Sequence, residues 1–501
     1  MERAPDPIEP HTTRRALAYM TLVFAAVHGA FYLSGGRFVP ATLQGMMHFM
    51  DPELLKHRLW ETCFYLHIQP PLMNLLVGLG LKLPEALGPV AFHVAFLAFG
   101  LVLYWAVFLL QLRLGVSRRV AAIFSTWFMA SPSFLLYEHW LFYTMPCAMM
   151  LALAALFLFN TIETRRSWAM AAFFVTLFCL CATRSMFHLY YFAVVLFATA
   201  YACKGNRKRV IAIAAIPFLL VFSVYFKNYV LFGKFTACTF AGKNLWITTV
   251  GNMGWPDRER LILEGKLSDL SRINRWSSVD EYPPEYRHVR GFEGIPALCQ
   301  VHKSTGAPNY NHMGEIAICE QYGNDARYVL VHEPKQFLAA TAVAWYRYFR
   351  SSAELPVSAR NSRVLRAVTA VYDRLFYGKL PLASISRLSL VRTAGPPYVF
   401  LFLSLVAAFA YGLYAAFARA DRGRGLTRSQ RITVLFLCFN ILYVAVLGCT
   451  FDVLETCRYR FMTDGLSVAL LGLLIQRASE SYRRWAKRHG ADHRASAQPN
   501  V

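Results

Sequence analysis

The chain has 501 residues, more than half of them hydrophobic, with 39 Phe, 26 Tyr and 10 Trp, a composition too apolar and aromatic for an ordinary soluble protein. Its formal net charge of +23 would point to nucleic acid only if Lys and Arg formed a patch. They fall instead in short clusters between apolar runs, so the charge records membrane topology and no nucleic-acid partner.

Several runs of about 20 apolar residues define an all-α polytopic membrane protein. The first 15 residues are polar and end in Arg14-Arg15, and the apolar run after them lacks a small-residue cleavage site. It is read as a retained first span, Met20 to Leu33, with the amino terminus held in the cytoplasm by the positive-inside rule. Gly35 then opens the first outer loop (35–88), which is polar at its middle and contains Asp51, Glu61, His67 and Gln69. Val90 to Leu112 returns the chain to the basic cluster Arg113, Arg118 and Arg119. That parity makes the short apolar piece Leu72 to Leu83 a juxtamembrane or re-entrant helix, because a crossing there would put the cluster outside.

Spans at Val120 to Phe134, Pro146 to Phe159, Trp168 to Ala182, Leu189 to Ala202 and Val210 to Tyr225 follow, separated alternately by outer turns and basic inner turns. A long polar region then runs to Thr393, with interfacial helices expected at Phe337 to Phe349 and Leu365 to Leu380 and no fold assigned between Trp255 and Arg327. Pro397 to Phe417, Thr433 to Leu447 and Leu466 to Ile475 close the chain, for about ten spans with both termini cytoplasmic. The resulting divisions are a tail (1–15), an amino-terminal membrane module (16–228), an outer region (229–395), carboxy-terminal membrane helices (396–478) and a basic tail (479–501). The expected location is a cell inner (plasma) membrane with the long loops in the periplasm or outside the cell.

Eleven cysteines lack CxxC pairs or His spacing, so no zinc or haem motif is present; Cys299 and Cys319 share the outer region and read equally as a pair or as two thiols.

The unusual polar residues sort to the outer side. Beside those of the first loop stand Glu138 and His139 in the second, Arg184 and His188 in the third, and Glu455, Arg458 and Arg460 in the last. Charges beside hydrocarbon are costly unless paired or functional. Gathered in one cavity, they would bind a phosphate and leave an acid free to take a proton. A sugar on a polyprenyl phosphate carrier at the outer leaflet needs that pairing: a base for the acceptor hydroxyl and cations for the departing phosphate. No nucleotide-binding Gly loop is present. Asp51-Pro52-Glu53 also fits a helix N-cap, and Glu61 fits a solvated helix face.

The order of a first span, an outer loop with Asp51, and then His67-Ile68-Gln69-Pro70-Pro71-Leu72 resembles the GT-C glycosyltransferases, in particular the branch of protein O-mannosyltransferases and lipid A aminoarabinose transferases. Lys227-Asn228-Tyr229-Val230-Leu231-Phe232-Gly233, with Ala241-Gly242-Lys243-Asn244-Leu245-Trp246 after it, is similar to the Arg-Asn-Tyr and Gly-Gly-x-Asn-Leu-Trp stretch of bacterial members. Glu455-Thr456-Cys457-Arg458-Tyr459-Arg460 is similar to their terminal Glu-x-x-Arg-Tyr-Arg element. The resemblance implies a GT-C-like fold, and it makes Asp51 the base or a donor or metal contact, with Glu61 its rival. Arg184, Arg458, Arg460 and Lys227 are expected at the donor phosphate. His67, Gln69, Glu138, His188, Asn228, Tyr229, Asn244 and Glu455 are expected at donor or acceptor. The expected activity is transfer of a sugar from a polyprenyl-phosphate donor to a hydroxyl on a protein, lipid or polysaccharide, among membrane lipids. A divalent metal is compatible with this, though the spacing does not demand one. The alternative from another class is a transporter or flippase of lipid-linked sugars, in which ionisable residues would line a path through the bilayer midplane.

Overall fold

The computed structural model describes residues 10–495 apart from 290, 356, 382–393 and 419–424. Of the expected inner basic residues, Arg419, Arg422 and Arg424 therefore lie outside the described residues, as do the outermost parts of both tails. Among the described residues the architecture is helical, with three isolated β-bridges and no named strand.

Among the described residues seven helices are long and apolar enough to cross a membrane. An eighth segment of that kind is a bent pair, Arg118–Met129 and Pro132–Glu138, which turn by 60°. Pro132 causes the break: it forces Ser131 into an extended conformation, and the Ser131 hydroxyl then accepts from the Phe134 N–H at 3.2 Å to start the second piece. Ser167–Thr183 and Leu189–Ala202, also expected as spans, are shorter apolar helices of 17 and 14 residues. Leu72–Leu81, at 10 residues, packs beside the first-loop helices Pro52–His57 and Leu59–Phe64 without spanning. The last helix does not stop at Ile475 but runs from Thr456 to Ala495.

The arginine-rich turns lie together on one face. The Gln430 amide donates to the Arg113 carbonyl at 3.0 Å, Arg428 donates to the Ala202 carbonyl, and the Ser117 N–H reaches Gln476 at 3.3 Å. The opposite face carries the first loop and the described parts of the region from 233 to 398. Interfacial helices occur there at Pro334–Tyr348, Ala359–Val364 and Arg366–Leu375.

The stretch that sequence patterning leaves unassigned is a small helical cap. Trp255–Leu263, several single turns and Gly314–His332 enclose a core of Trp246, Leu261, Leu270, Val279, Ile318 and Tyr322. Its long helix is fastened to Ala241–Thr248 by a fully buried Lys243–Glu315 ion pair at 2.6 Å, inside a ring of Phe240, Tyr282, Tyr310 and Tyr322. Gly242 permits the approach, since a Cβ there would lie 1.8 Å from the Cys319 carbonyl oxygen. Gly242→Ala is therefore expected to lower stability by about 1–3 kcal/mol, read as a lower Tm of the purified protein. Cys299 and Cys319 are both free thiols.

Candidate functional site

A cavity of about 440 Å³ opens where several membrane helices end on the loop-bearing face. Its walls come from seven separate stretches: the first loop around His48 and Gln69, the turn at Phe142, Arg184-Ser185, Asn244 with Ile247, Arg275-Trp276, Tyr310, and the segment from Asp452 to Tyr459. Each is held by local hydrogen bonding. The 44–51 loop is clamped from below by Asn74, which accepts from the Met50 N–H at 2.9 Å and donates to the His48 carbonyl at 3.0 Å. From above, Lys303 donates to the carbonyls of Met46 and Phe49 at 3.0 and 2.7 Å. The turn ending at Phe142 is pinned to the same loop through Val39, whose N–H donates to the His139 carbonyl and whose carbonyl accepts from the Leu141 N–H.

Two guanidiniums converge on one phenol. Arg184, at the carboxyl end of Ser167–Thr183, donates to Tyr143 and to the Tyr459 hydroxyl at 3.2 Å, with its guanidinium carbon 4.2 Å from the Tyr143 ring centre. Arg458 donates to the same Tyr143 oxygen at 3.0 Å and pairs with Glu455. The Tyr143 oxygen thus accepts twice, which leaves its proton for His48 Nε2 at 3.3 Å. Burial and the neighbouring Arg184 and Arg458 push His48 well below the usual histidine range, so its ring is neutral and able to accept.

Arg184 is 7% exposed, yet among the described residues no carboxylate lies within ion-pair distance of it. Two neutral phenols and a buried, unpartnered Nε are poor compensation for a guanidinium at the edge of hydrocarbon. That charge imbalance is the electrostatic signature of an anion site. The carboxylates at the cavity are Glu455, already paired, and Asp452, which accepts from the N–H groups of Leu454 and Glu455 at 2.7 and 3.2 Å and from the Tyr459 hydroxyl at 3.1 Å. A smaller space of about 120 Å³ adjoins the cavity, sharing Arg184, Ser185, Asn244 and Tyr459 with it and otherwise lined largely by apolar groups such as Met186, Leu447 and Phe451.

No protein-family model matches the sequence, and no curated protein does. Among solved structures the chain is similar to ArnT from Cupriavidus metallidurans in the apo state, at 16% identity and a TM-score of 0.30, over 91% of this chain and 77% of that one.

The structure brings together Gln69, Arg184, Asn244, Glu455 and Arg458 of the residues expected from sequence, and places His188 beside the adjoining apolar space. The others stand elsewhere. Asp51, expected as the base, is the buried N-cap of Pro52–His57: its oxygens accept from the Glu53 N–H at 3.0 Å, the Ser304 N–H at 2.8 Å and the Ser304 hydroxyl. Asp51 does not line the cavity. Among the described residues no three of His, Cys, Asp and Glu gather as ion ligands. Glu61 pairs with Arg58 at 2.6 Å on the surface of its helix. Lys227 donates to the carbonyls of Phe64 and Leu66 at 2.7 and 2.6 Å, fixing the end of the first loop. Asn228 caps the following turn through the Thr236 carbonyl at 2.7 Å, and Tyr229 points outward.

Arg460 turns away from Arg458 into the protein, where it meets Asp464 at 3.0 Å and the carbonyls of Tyr348 and Arg350. Glu138 is fully buried, hydrogen-bonds the His28 ring and lies against Gly100, while His139 bonds Tyr32 at 2.7 Å. This group sits behind the Phe142-Tyr143 turn.

His67 is also a structural residue. Its ring bridges Thr239 at 2.8 Å and the Asn311 carbonyl at 3.0 Å, and burial pushes its pKa down to about 3. The unfolded chain binds a proton near the ordinary value while the folded ring does not, so stability falls as pH drops from about 6.5 towards 3. Thermal unfolding across that window is expected to show the loss, and His67→Gln to flatten it.

Among the residues sequence reasoning missed are His48, Arg275, Asp452 and Tyr459 in the cavity lining, and Tyr143, the phenol that accepts from Arg184 and Arg458. Only Tyr143 and Tyr459 had a local signal, as aromatic residues immediately next to spans.

Proposed function

We propose that this chain is a membrane glycosyltransferase that moves a sugar from a polyprenyl-phosphate carrier to an acceptor hydroxyl on the face opposite the arginine-rich turns, the periplasm or cell exterior by the positive-inside rule. The observation that carries the reading is buried Arg184, with no described carboxylate within ion-pair distance, beside Arg458 in a polar cavity that adjoins an apolar space. The two guanidiniums hold the carrier phosphate, and the apolar space receives the first isoprene units. Asp452 takes the proton of the acceptor hydroxyl. The acceptor oxygen attacks the anomeric carbon, the bond from that carbon to the phosphate oxygen breaks, and its electron pair leaves with the phosphate into the field of Arg184 and Arg458.

Deleting the gene is expected to remove one sugar from the cell-envelope glycans while its lipid-linked donor accumulates. Restoring the wild-type chain reverses both changes, and Asp452→Asn restores neither. Unchanged glycans and lipid-linked sugars in the deletion strain would refute the reading.

A further inference from the structure

Arg184 and Arg458 account for one anion, but the cavity holds a third guanidinium that this anion does not explain. Arg275 lies in the wall with its guanidinium carbon 4.7 Å from the centre of the Trp276 ring. Trp276 is itself fixed: Tyr310 donates to its carbonyl at 2.7 Å, Asn274 accepts from its N–H at 3.0 Å, and Phe240 stacks with its ring at 5.9 Å. Arg275 is thus held in place by an aromatic support and not by an acid. Among the described residues no carboxylate lies within ion-pair distance of it, and its Nε is buried without a partner. Asp452 and Glu455 line the same cavity and act on it through their charge, and Glu455 is already paired with Arg458.

Two amides stand in the same cavity. Gln69 is 7% exposed with its carbonyl oxygen buried and unpartnered, and it lines the cavity together with Asn244. Amides of this kind suit hydroxyl groups, which both donate and accept. A guanidinium pre-oriented on a ring suits a planar carboxylate or a phosphate.

Resting on the carrier-phosphate reading, we infer that the glycosyl part of the substrate bears a second anionic group, bound by Arg275, with its hydroxyls held by Gln69 and Asn244. A carboxylate on an acidic sugar and a second phosphate are the two sources of that chemistry.

The test uses purified full-length protein in detergent and calorimetric titration with four probes: the anomeric phosphate of a uronic acid, that of the matching neutral hexose, inorganic pyrophosphate and inorganic phosphate. The uronic acid phosphate is expected to bind about tenfold more tightly than the neutral one. Arg275→Gln should narrow that gap to about twofold, whereas Arg275→Lys, which keeps the charge, should retain most of it. Arg184→Ala should weaken both sugar phosphates. If pyrophosphate over phosphate shows the Arg275-dependent gain instead, the second anion is a phosphate. Equal binding within both pairs by the wild-type protein, or a gap that persists in Arg275→Gln, overturns the inference and leaves the carrier-phosphate site standing. A gap that depends on Arg275 with no effect of Arg184→Ala overturns that site alone, and no binding of any probe overturns both.

Discussion

Arg184→Lys is expected to reduce the proposed sugar transfer by about a hundredfold to a thousandfold, while the protein folds and purifies as the wild type does. The lysine keeps the positive charge but offers a compact ammonium in place of a planar fork. It cannot meet the Tyr143 and Tyr459 hydroxyls and still present a second edge to the phosphate, as the guanidinium does. Because the interaction strengthens as charge moves onto the leaving oxygen, most of the loss falls on kcat. Donor turnover in detergent, with circular dichroism as the control for folding, measures it. A variant with wild-type kcat would show that Arg184 does not face the reacting phosphate.

The second large effect separates two arginines that the sequence presents as a pair. Arg460→Ala is expected to destabilise the protein by about 3–5 kcal/mol, because it strands Asp464 in the interior. It also leaves the Tyr348 and Arg350 carbonyls and the Ser352 hydroxyl without their donor. The double variant Arg460→Met, Asp464→Leu removes both charges and should recover a large share of the lost Tm. Molecules that remain folded should keep their transfer activity, whereas Arg458→Ala should lose activity with a smaller change in Tm. Equal catalytic loss in the two single variants, at equal stability, would place Arg460 at the substrate instead.

The contrast also marks where sequence reading reaches its limit. Hydrocarbon thickness and the charge of the turns act locally along the chain, so the ten apolar segments, the short Leu72 helix and the basic turns were legible without coordinates. Arg184 was legible for the same reason, as a charge set directly after a run that should cross. Side-chain direction was not. Arg458 and Arg460 lie two residues apart on one helix and diverge, one to the cavity and one to Asp464. Asp51-Pro52 carries both a capping signature and an acid in the right loop, and the local cap is what the structure displays. His48, Arg275 and Asp452 reach one cavity from stretches more than a hundred residues apart, through clamps such as Lys303 on the Met46 carbonyl that no periodicity reports. The cap between Trp255 and Arg327 stayed unassigned because most of the chain between its two helices, Trp255–Leu263 and Gly314–His332, runs in short turns around a small core, with no repeating apolar pattern.

The most direct measurement is photocrosslinking of the full-length protein in bilayers with a polyprenyl phosphate that carries a diazirine on its first isoprene unit. Binding of the phosphate by Arg184 and Arg458 predicts label on the segments containing Met186 and on Leu447 to Phe451, abolished by Arg184→Ala. Label confined to other surfaces, such as the aromatic space around Trp345 and Phe402, or label that persists in Arg184→Ala, would contradict it.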